Sequence, residues 1–213
     1  MAVTILGVQK FVGLTISLQS FPLFCVYLLM ILVCPLWQKV TSPIQDRTVL
    51  MFYNFTCSFI SLYSLLGFLY CLTLSESTFE LRPAPYLKPY FRLYWITKII
   101  ELLDTVFMIL RHKQRQISFL HVYHHSSMLL LADACYHLYP WPAMATYLAT
   151  NSFVHVILYM YYCLTASFPN KSFPWRKYIT QLQILQFFVL FVHAAYGYLN
   201  HGFCIYGLFM ALL

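Results

Sequence analysis

Seven apolar runs succeed one another along the chain, at residues 20–37, 49–74, 90–110, 119–139, 142–168, 178–198 and 203–213, with only short polar connections between them. Crossing the hydrocarbon core of a bilayer takes about 20 mostly apolar residues of α-helix, and the middle five runs reach that length. A segment in lipid must satisfy its own backbone N–H and C=O groups, so runs of this kind fold as helices. The first run is slightly short unless residues before Ser20 contribute, and the last stops with the chain at Leu213. The expected fold is an all-α polytopic membrane protein: one domain, 1–213, forming a seven-span helical bundle or barrel with the seventh span incomplete.

Composition agrees with this. Hydrophobic residues make up 61% of the chain and charged ones 9%, with a mean hydropathy of +0.69, whereas a soluble domain carries roughly 25% charged residues. The net charge of +7 does not mark a nucleic-acid-binding protein, because the basic residues sit in the connections, where they set orientation. Lys39, Arg47, Arg111, Lys113, Arg115, Lys171, Arg176 and Lys177 would share one side; Lys10, Arg82, Lys88 and Arg92, offset by Glu76 and Glu80, the other. The positive-inside rule makes the first side cytosolic and puts the N-terminus across the membrane. The N-terminal apolar stretch lacks a charged start and runs on too far for a simple signal peptide, so no cleavage is expected. On this topology the sequon at Asn170 stays bare in the cytosol, and the one at Asn54 lies inside a span. Seven scattered cysteines read mostly as small apolar fillers, with one bridge conceivable on an oxidising side.

Polar residues inside four of the runs recur one helical turn apart. The third run has Lys98, Glu101, Asp104 and Thr105 (KIIELLDT), and the fourth has His121, His124 and His125 (HVYHH). The fifth has Asn151, His155, Tyr159 and Tyr162 (NSFVHVILYMYY), and the sixth has Thr180, Gln183 and Gln186 (TQLQILQF). Such spacing places each set on one face of its helix. Singly, each stripe has a plain structural reading: a hydrogen-bonded core His155, a Lys98–Glu101 pair holding register, a glutamine stripe gluing helices. His112, His137, His193 and His201 stand near run ends, where a wet histidine is ordinary. Four stripes together can satisfy one another only around a shared polar interior. That interior is expected towards the cytosolic half, where the third run ends and the fourth begins.

Two chemistries suit a histidine-lined interior. Imidazole is a common iron and zinc ligand, but a di-iron lipid oxygenase would need several histidine boxes, and this chain has one H-x-x-H-H. No metal is expected. The other is nucleophilic or general-base catalysis by an imidazole near neutral pH, oriented by a carboxylate or amide on its second nitrogen. Three histidines, two carboxylates and a lysine fit that better.

The four motifs, in their order and separations, resemble those of the ELO family of very-long-chain fatty acid elongases, the membrane 3-ketoacyl-CoA synthases of the endoplasmic reticulum. The similarity covers residues 46–210. The resemblance implies a seven-helix fold with six helices around a narrow tunnel. It implies condensation of a long-chain acyl-CoA with malonyl-CoA to 3-oxoacyl-CoA, carbon dioxide and CoA, with no cofactor. In that reading His124 takes the acyl group as an acyl-imidazole, and His155 helps bind or decarboxylate the malonyl unit. His121 and His125 shape and hydrogen-bond the site, and Asp104, with Lys98 and Glu101, orients imidazoles. Asn151, Tyr159, Tyr162, Gln183 and Gln186 are the implied substrate-contacting residues.

The six basic residues at Arg111–Arg115 and Lys171–Lys177 offer charges for CoA phosphates, or form an ordinary solvated positive-inside loop. Leu158 replaces the methionine usual in the fifth-span motif. The basic cytosolic tail common in the family is missing, which bears on localisation and on tunnel closure. The implied surroundings are the lipid bilayer of the reticulum, the other elongation-cycle enzymes or a second copy of the chain, and no nucleic acid. The rival readings are a truncated elongase-like partner without catalysis and a histidine-box oxygenase.

Overall fold

A computed structural model describes residues 2–44 and 46–203. All regular structure there is helical: α1 (Ala2–Ser17), α2 (Phe21–Val40), α3 (Arg47–Thr73), α4 (Lys88–Glu101), α5 (Leu103–Leu110), α6 (Phe119–His137), α7 (Pro142–Ser167) and α8 (Arg176–Asn200). The run expected to form the seventh span lies, apart from Phe203, outside the described residues. Local chemistry sets several of these boundaries. Asp46 caps α3 by accepting from the backbone N–H of Thr48 (2.9 Å) and Val49 (3.1 Å). Ser118 caps α6 through His121 N–H (3.2 Å), and prolines open α2, α4 and α7, where a missing N–H costs no helical bond.

Two expectations about helix limits change. Residues before Ser20 do not lengthen the first run; they form α1, separated by a turn, and α2 reaches 20 residues by continuing to Val40. The third run is two helices rather than one. At Leu102 the ladder tightens to i→i+3 bonds, Leu102 N–H to Ile99 O (3.3 Å) and Thr105 N–H to Leu102 O (3.2 Å). Residues three apart eclipse one another in such a step instead of drifting around the helix. Glu101 and Asp104 straddle it, which brings both carboxyl groups to one side.

Among the described residues three helices, α2, α3 and α8, are long and apolar enough to cross a membrane. Of the helices bearing the polar motifs, α8 is among these three; α4 and α5 are individually too short to cross, and α6 and α7 are diluted by their histidine, amide and hydroxyl side chains. Neighbours pack in the order α2, α6, α4–α5, α3, α7, α8. At one end the α2–α3 connection meets α5 and its following loop, with Ile44 N–H donating to Leu110 O (2.9 Å) and Gln38 to Ile109 O (2.7 Å). At the other end the loop after α3 is tied to the α6–α7 turn by Ala84 N–H to Pro140 O (3.0 Å) and Ala143 N–H to Glu80 O (3.1 Å).

The α3–α7 pair is the closest. The buried face of α3 is built from Asn54, Cys57, Ser58, Ser61, Ser64, Gly67, Phe68 and Cys71, mostly small side chains that let helix backbones approach in lipid. Ser58 donates across to Val156 O at 2.9 Å. Asn54 is turned inward and bonded to Leu50 O (2.7 Å), as a sequon inside a span should be. Gly67 lies against the Tyr90 ring so closely that a Cβ there would fall 2.0 Å from a ring carbon. The main core gathers Phe68, Leu87, Phe91, Tyr94, Leu148 and Ala149 from the loop, α3, α4 and α7.

Candidate active site

The polar motifs converge where α4–α5, α6 and α7 meet. Lys98 and Glu101, 3% and 1% exposed, pair on α4 at 2.8 and 3.0 Å. A buried ion pair must have its remaining valences met, and α7 supplies the groups that do so. Lys98 also donates to Asn151 Oδ1 (3.0 Å), which takes a second bond from Tyr94 OH (2.7 Å). Glu101 Oε1 lies 3.0 Å from His155 Nδ1. The Lys98 ammonium stands 3.5 Å from the same nitrogen, but the shorter contact is to the carboxylate, which can only accept, so Nδ1 carries the N–H and Nε2 is the basic nitrogen of His155. The Lys98 ammonium stands 4.7 Å from the centre of the Tyr94 ring, a cation–π contact.

Asp104 is one step along. Tyr159 donates to its Oδ2 at 2.6 Å, and His125 Nε2 stands 3.9 Å from the same oxygen. Tyr53 packs edge-on against Tyr159, with ring centres 6.3 Å apart. On α6 the three imidazoles share one face: ring centres of His121 and His125 are 4.3 Å apart, those of His124 and His125 5.7 Å. His124 lies 6.3 Å, centre to centre, from His155 on α7. His121 Nε2 is bonded to Thr105 Oγ1 (2.8 Å), and Thr105 to Tyr27 OH (2.9 Å). Among the described residues, no group of three or more His, Cys, Asp or Glu side chains is arranged to hold a metal ion.

Two carboxylates, a lysine and four histidines on α4, α5, α6 and α7 thus gather into one cluster held by hydrogen bonds and ring contacts, and comparison with known proteins gives the chain a family. The ELO: GNS1/SUR4 family pattern matches residues 16–211. The chain belongs to the ELO family. Human (Homo sapiens) very long chain fatty acid elongase 4 is 40% identical over 192 residues, 79% of this chain and 57% of that protein. The Mus musculus elongase 4 is 40% identical over 204 residues, 85% of this chain and 60% of that one. Rattus norvegicus very long chain fatty acid elongase 2 is 34% identical over 189 residues, 83% of this chain and 66% of that one. The chain spans about three fifths of the length of the first two relatives. The family match begins at residue 16 rather than near residue 46, so it takes in α2 and Tyr27.

This ELO-family cluster contains Lys98, Glu101, Asp104, His121, His124, His125, Asn151, His155 and Tyr159. The sixth-run stripe joins it only in part. Gln186 is buried and borders a cavity of about 20 Å³ together with Asn151, Met128, Leu131, Tyr147 and Leu190. Gln183 is half-buried, and Thr180 is exposed and bonded back to Arg176 O (3.2 Å), one turn down its own helix. Tyr162 is 40% exposed and meets the edge of the Tyr159 ring.

Three groups escaped the sequence reading. Tyr94 lies one turn before Lys98, so the stripe extended backwards would have found it. Tyr27 is the sole tyrosine of α2 and left no periodic signal. Asp133 is fully buried on α6. It takes bonds from His137 Nδ1 (2.6 Å) and Ser20 N–H (2.5 Å), while Trp95 donates to Ser20 Oγ (2.7 Å). His137 is therefore a paired group anchoring the α1–α2 turn rather than a merely wet terminal histidine. His193 and His201 are likewise engaged, stacked on the Phe79 ring at 4.4 Å each.

Proposed function

We propose that this ELO-family chain condenses a long-chain acyl-CoA with malonyl-CoA. The observation carrying the reading is the approach of His124 on α6 to His155 on α7, with the Lys98–Glu101 pair holding His155 from behind. A neutral His124 nitrogen attacks the acyl thioester carbonyl, the C–S bond breaks, and CoA departs as its thiol, leaving an acyl-imidazole. Malonyl-CoA then loses carbon dioxide, and the enolate of acetyl-CoA attacks the acyl carbonyl. The C–N bond to the imidazole breaks, the leaving imidazolate takes up one proton, and 3-oxoacyl-CoA is released with neutral His124 restored. His155, its Nδ1–H fixed on Glu101, offers Nε2 to the malonyl unit, and a site sealed from water protects both reactive species.

The reading carries with it a seven-span arrangement in the endoplasmic reticulum membrane, with the bundle enclosing the acyl tail. Other elongation-cycle enzymes or a second copy of the chain are its proposed partners. The test is product formation by the membrane-inserted chain from labelled malonyl-CoA and a panel of acyl-CoAs, beside His124→Ala. A 3-oxoacyl product two carbons longer, lost in the variant, is expected. A folded wild type that yields none overturns the enzyme reading and favours a non-catalytic elongase-like partner, and stoichiometric bound iron would favour an oxygenase.

A further inference from the structure

His121 Nε2, in the histidine box, is bonded to a hydroxyl chain that leads out of the cluster. That chain runs Tyr27 OH, Thr105 Oγ1, His121 Nε2, with steps of 2.9 and 2.8 Å across three helices. Both hydroxyl residues are buried, Tyr27 at 2% exposure and Thr105 at 0%. Tyr27 and Cys34 are the buried residues of α2, a helix otherwise turned outward.

Proton counting decides the direction of the chain. Thr105 has one hydroxyl proton and can donate it to one neighbour only. If it donates to Tyr27, His121 must donate from Nε2, and the Tyr27 O–H is left buried with no acceptor among the described residues. If both Tyr27 and His121 donate to Thr105, the Thr105 proton is the one left buried without an acceptor among the described residues; if Tyr27 donates to Thr105 and Thr105 to the Nε2 lone pair, every hydroxyl proton is used. An unsatisfied buried donor is the costlier state. We propose that Tyr27, acting through Thr105, is a positioning residue that holds neutral His121 in its Nδ1–H form with Nε2 occupied as an acceptor.

A role within the site follows. With Nε2 occupied, His121 is not a nucleophile through that atom; it is an N–H donor at Nδ1, on a ring 4.3 Å from His125. The box then divides its labour by environment, with His121 held as a donor and His124 facing His155. It also makes α2 part of the site, since its seating on α5 determines whether the Tyr27 proton reaches Thr105. The consequence for turnover rests on the condensation reading; the tautomer assignment does not.

The experiment is nitrogen-15 NMR of the full chain, histidine-labelled, in nanodiscs at a pH where the ring is neutral, with the His121 signals identified by their loss in His121→Gln. The wild type is expected to show the Nδ1–H form of His121 in roughly tenfold excess. Tyr27→Phe and Thr105→Val, each nearly isosteric, should remove that excess, and Thr105→Ser, which keeps the hydroxyl, should retain it. In condensation assays Tyr27→Phe should lower kcat severalfold with less change in KM, and Thr105→Ser should stay near wild type. An Nε2–H form of His121 in the wild type, or an excess unchanged in both Tyr27→Phe and Thr105→Val, overturns the proposal. A tautomer change as predicted in a chain with no condensing activity would count against the enzymatic reading alone.

Discussion

Glu101→Gln is the most informative single change in the cluster. It preserves shape and an oxygen acceptor but leaves the Lys98 ammonium, 3% exposed, without its counter-charge. In the native pair the ammonium meets both carboxylate oxygens, at 2.8 and 3.0 Å. At that separation and an effective dielectric near 20 the gross attraction is about 6 kcal/mol. Removing one partner of a buried pair costs about 3–5 kcal/mol, because the other charge stays buried and unpaired. Lys98→Met should cost a similar amount, since it strands Glu101 with His155 as its remaining partner. The double variant should be more stable than the sum of the single losses predicts, by roughly 2 kcal/mol or more, because no stranded charge remains. Reversible unfolding in mixed detergent micelles gives the three free energies. Single losses below about 1 kcal/mol, or strict additivity in the double variant, would refute the claim that this pair is buried and mutually dependent.

Three further outcomes follow from the contacts. Tyr159→Phe removes the 2.6 Å donor to Asp104 and should cost about 0.5–3 kcal/mol, the span from a neutral to a charge-assisted hydrogen bond, in the same unfolding assay. Gly67→Ala drives a Cβ to 2.0 Å from the Tyr90 ring; a loss of about 1–3 kcal/mol is expected as that ring is pushed off its neighbours. An unchanged midpoint would show that Tyr90 moves aside freely. Asp133→Ala deprives Ser20 N–H and His137 of their shared acceptor. Amide exchange at the α1–α2 turn should then accelerate at least tenfold, while exchange along α7 stays the same.

Much of the site was legible because its residues obey the helical repeat. His121, His124 and His125 fall within one turn, and Asn151, His155 and Tyr159 four apart, so each of these trios shares a face of its helix whatever it packs against. Lys98 and Glu101, three apart, do likewise, but Asp104 reaches their side only through the tightened step at Leu102. The sixth-run stripe follows the same rule but is buried along only part of its length. Spacing places Thr180, Gln183 and Gln186 on one face but does not say how far along the helix that face stays covered, and only Gln186 is buried. His137 shows the converse: its partner Asp133 lies on the same helix, yet what gives the pair its role, Ser20 N–H, comes from 113 residues away.

What the sequence determined by itself is the helical character of the chain, its membrane-grade hydrophobicity and the set of polar faces. These follow from backbone hydrogen bonding in lipid and from the 3.6-residue repeat, which act within one segment. Only the tertiary structure decided which polar group meets which: Glu101 with His155, Asp104 with Tyr159, Asn151 with both Lys98 and Tyr94, Tyr27 with Thr105. It also decided the tightened step at Leu102. The physical reason is that a hydrogen bond is lost within a fraction of an ångström. The rotation and axial offset between helices, set by side-chain packing across the interface, therefore choose among partners that the sequence pattern leaves equivalent.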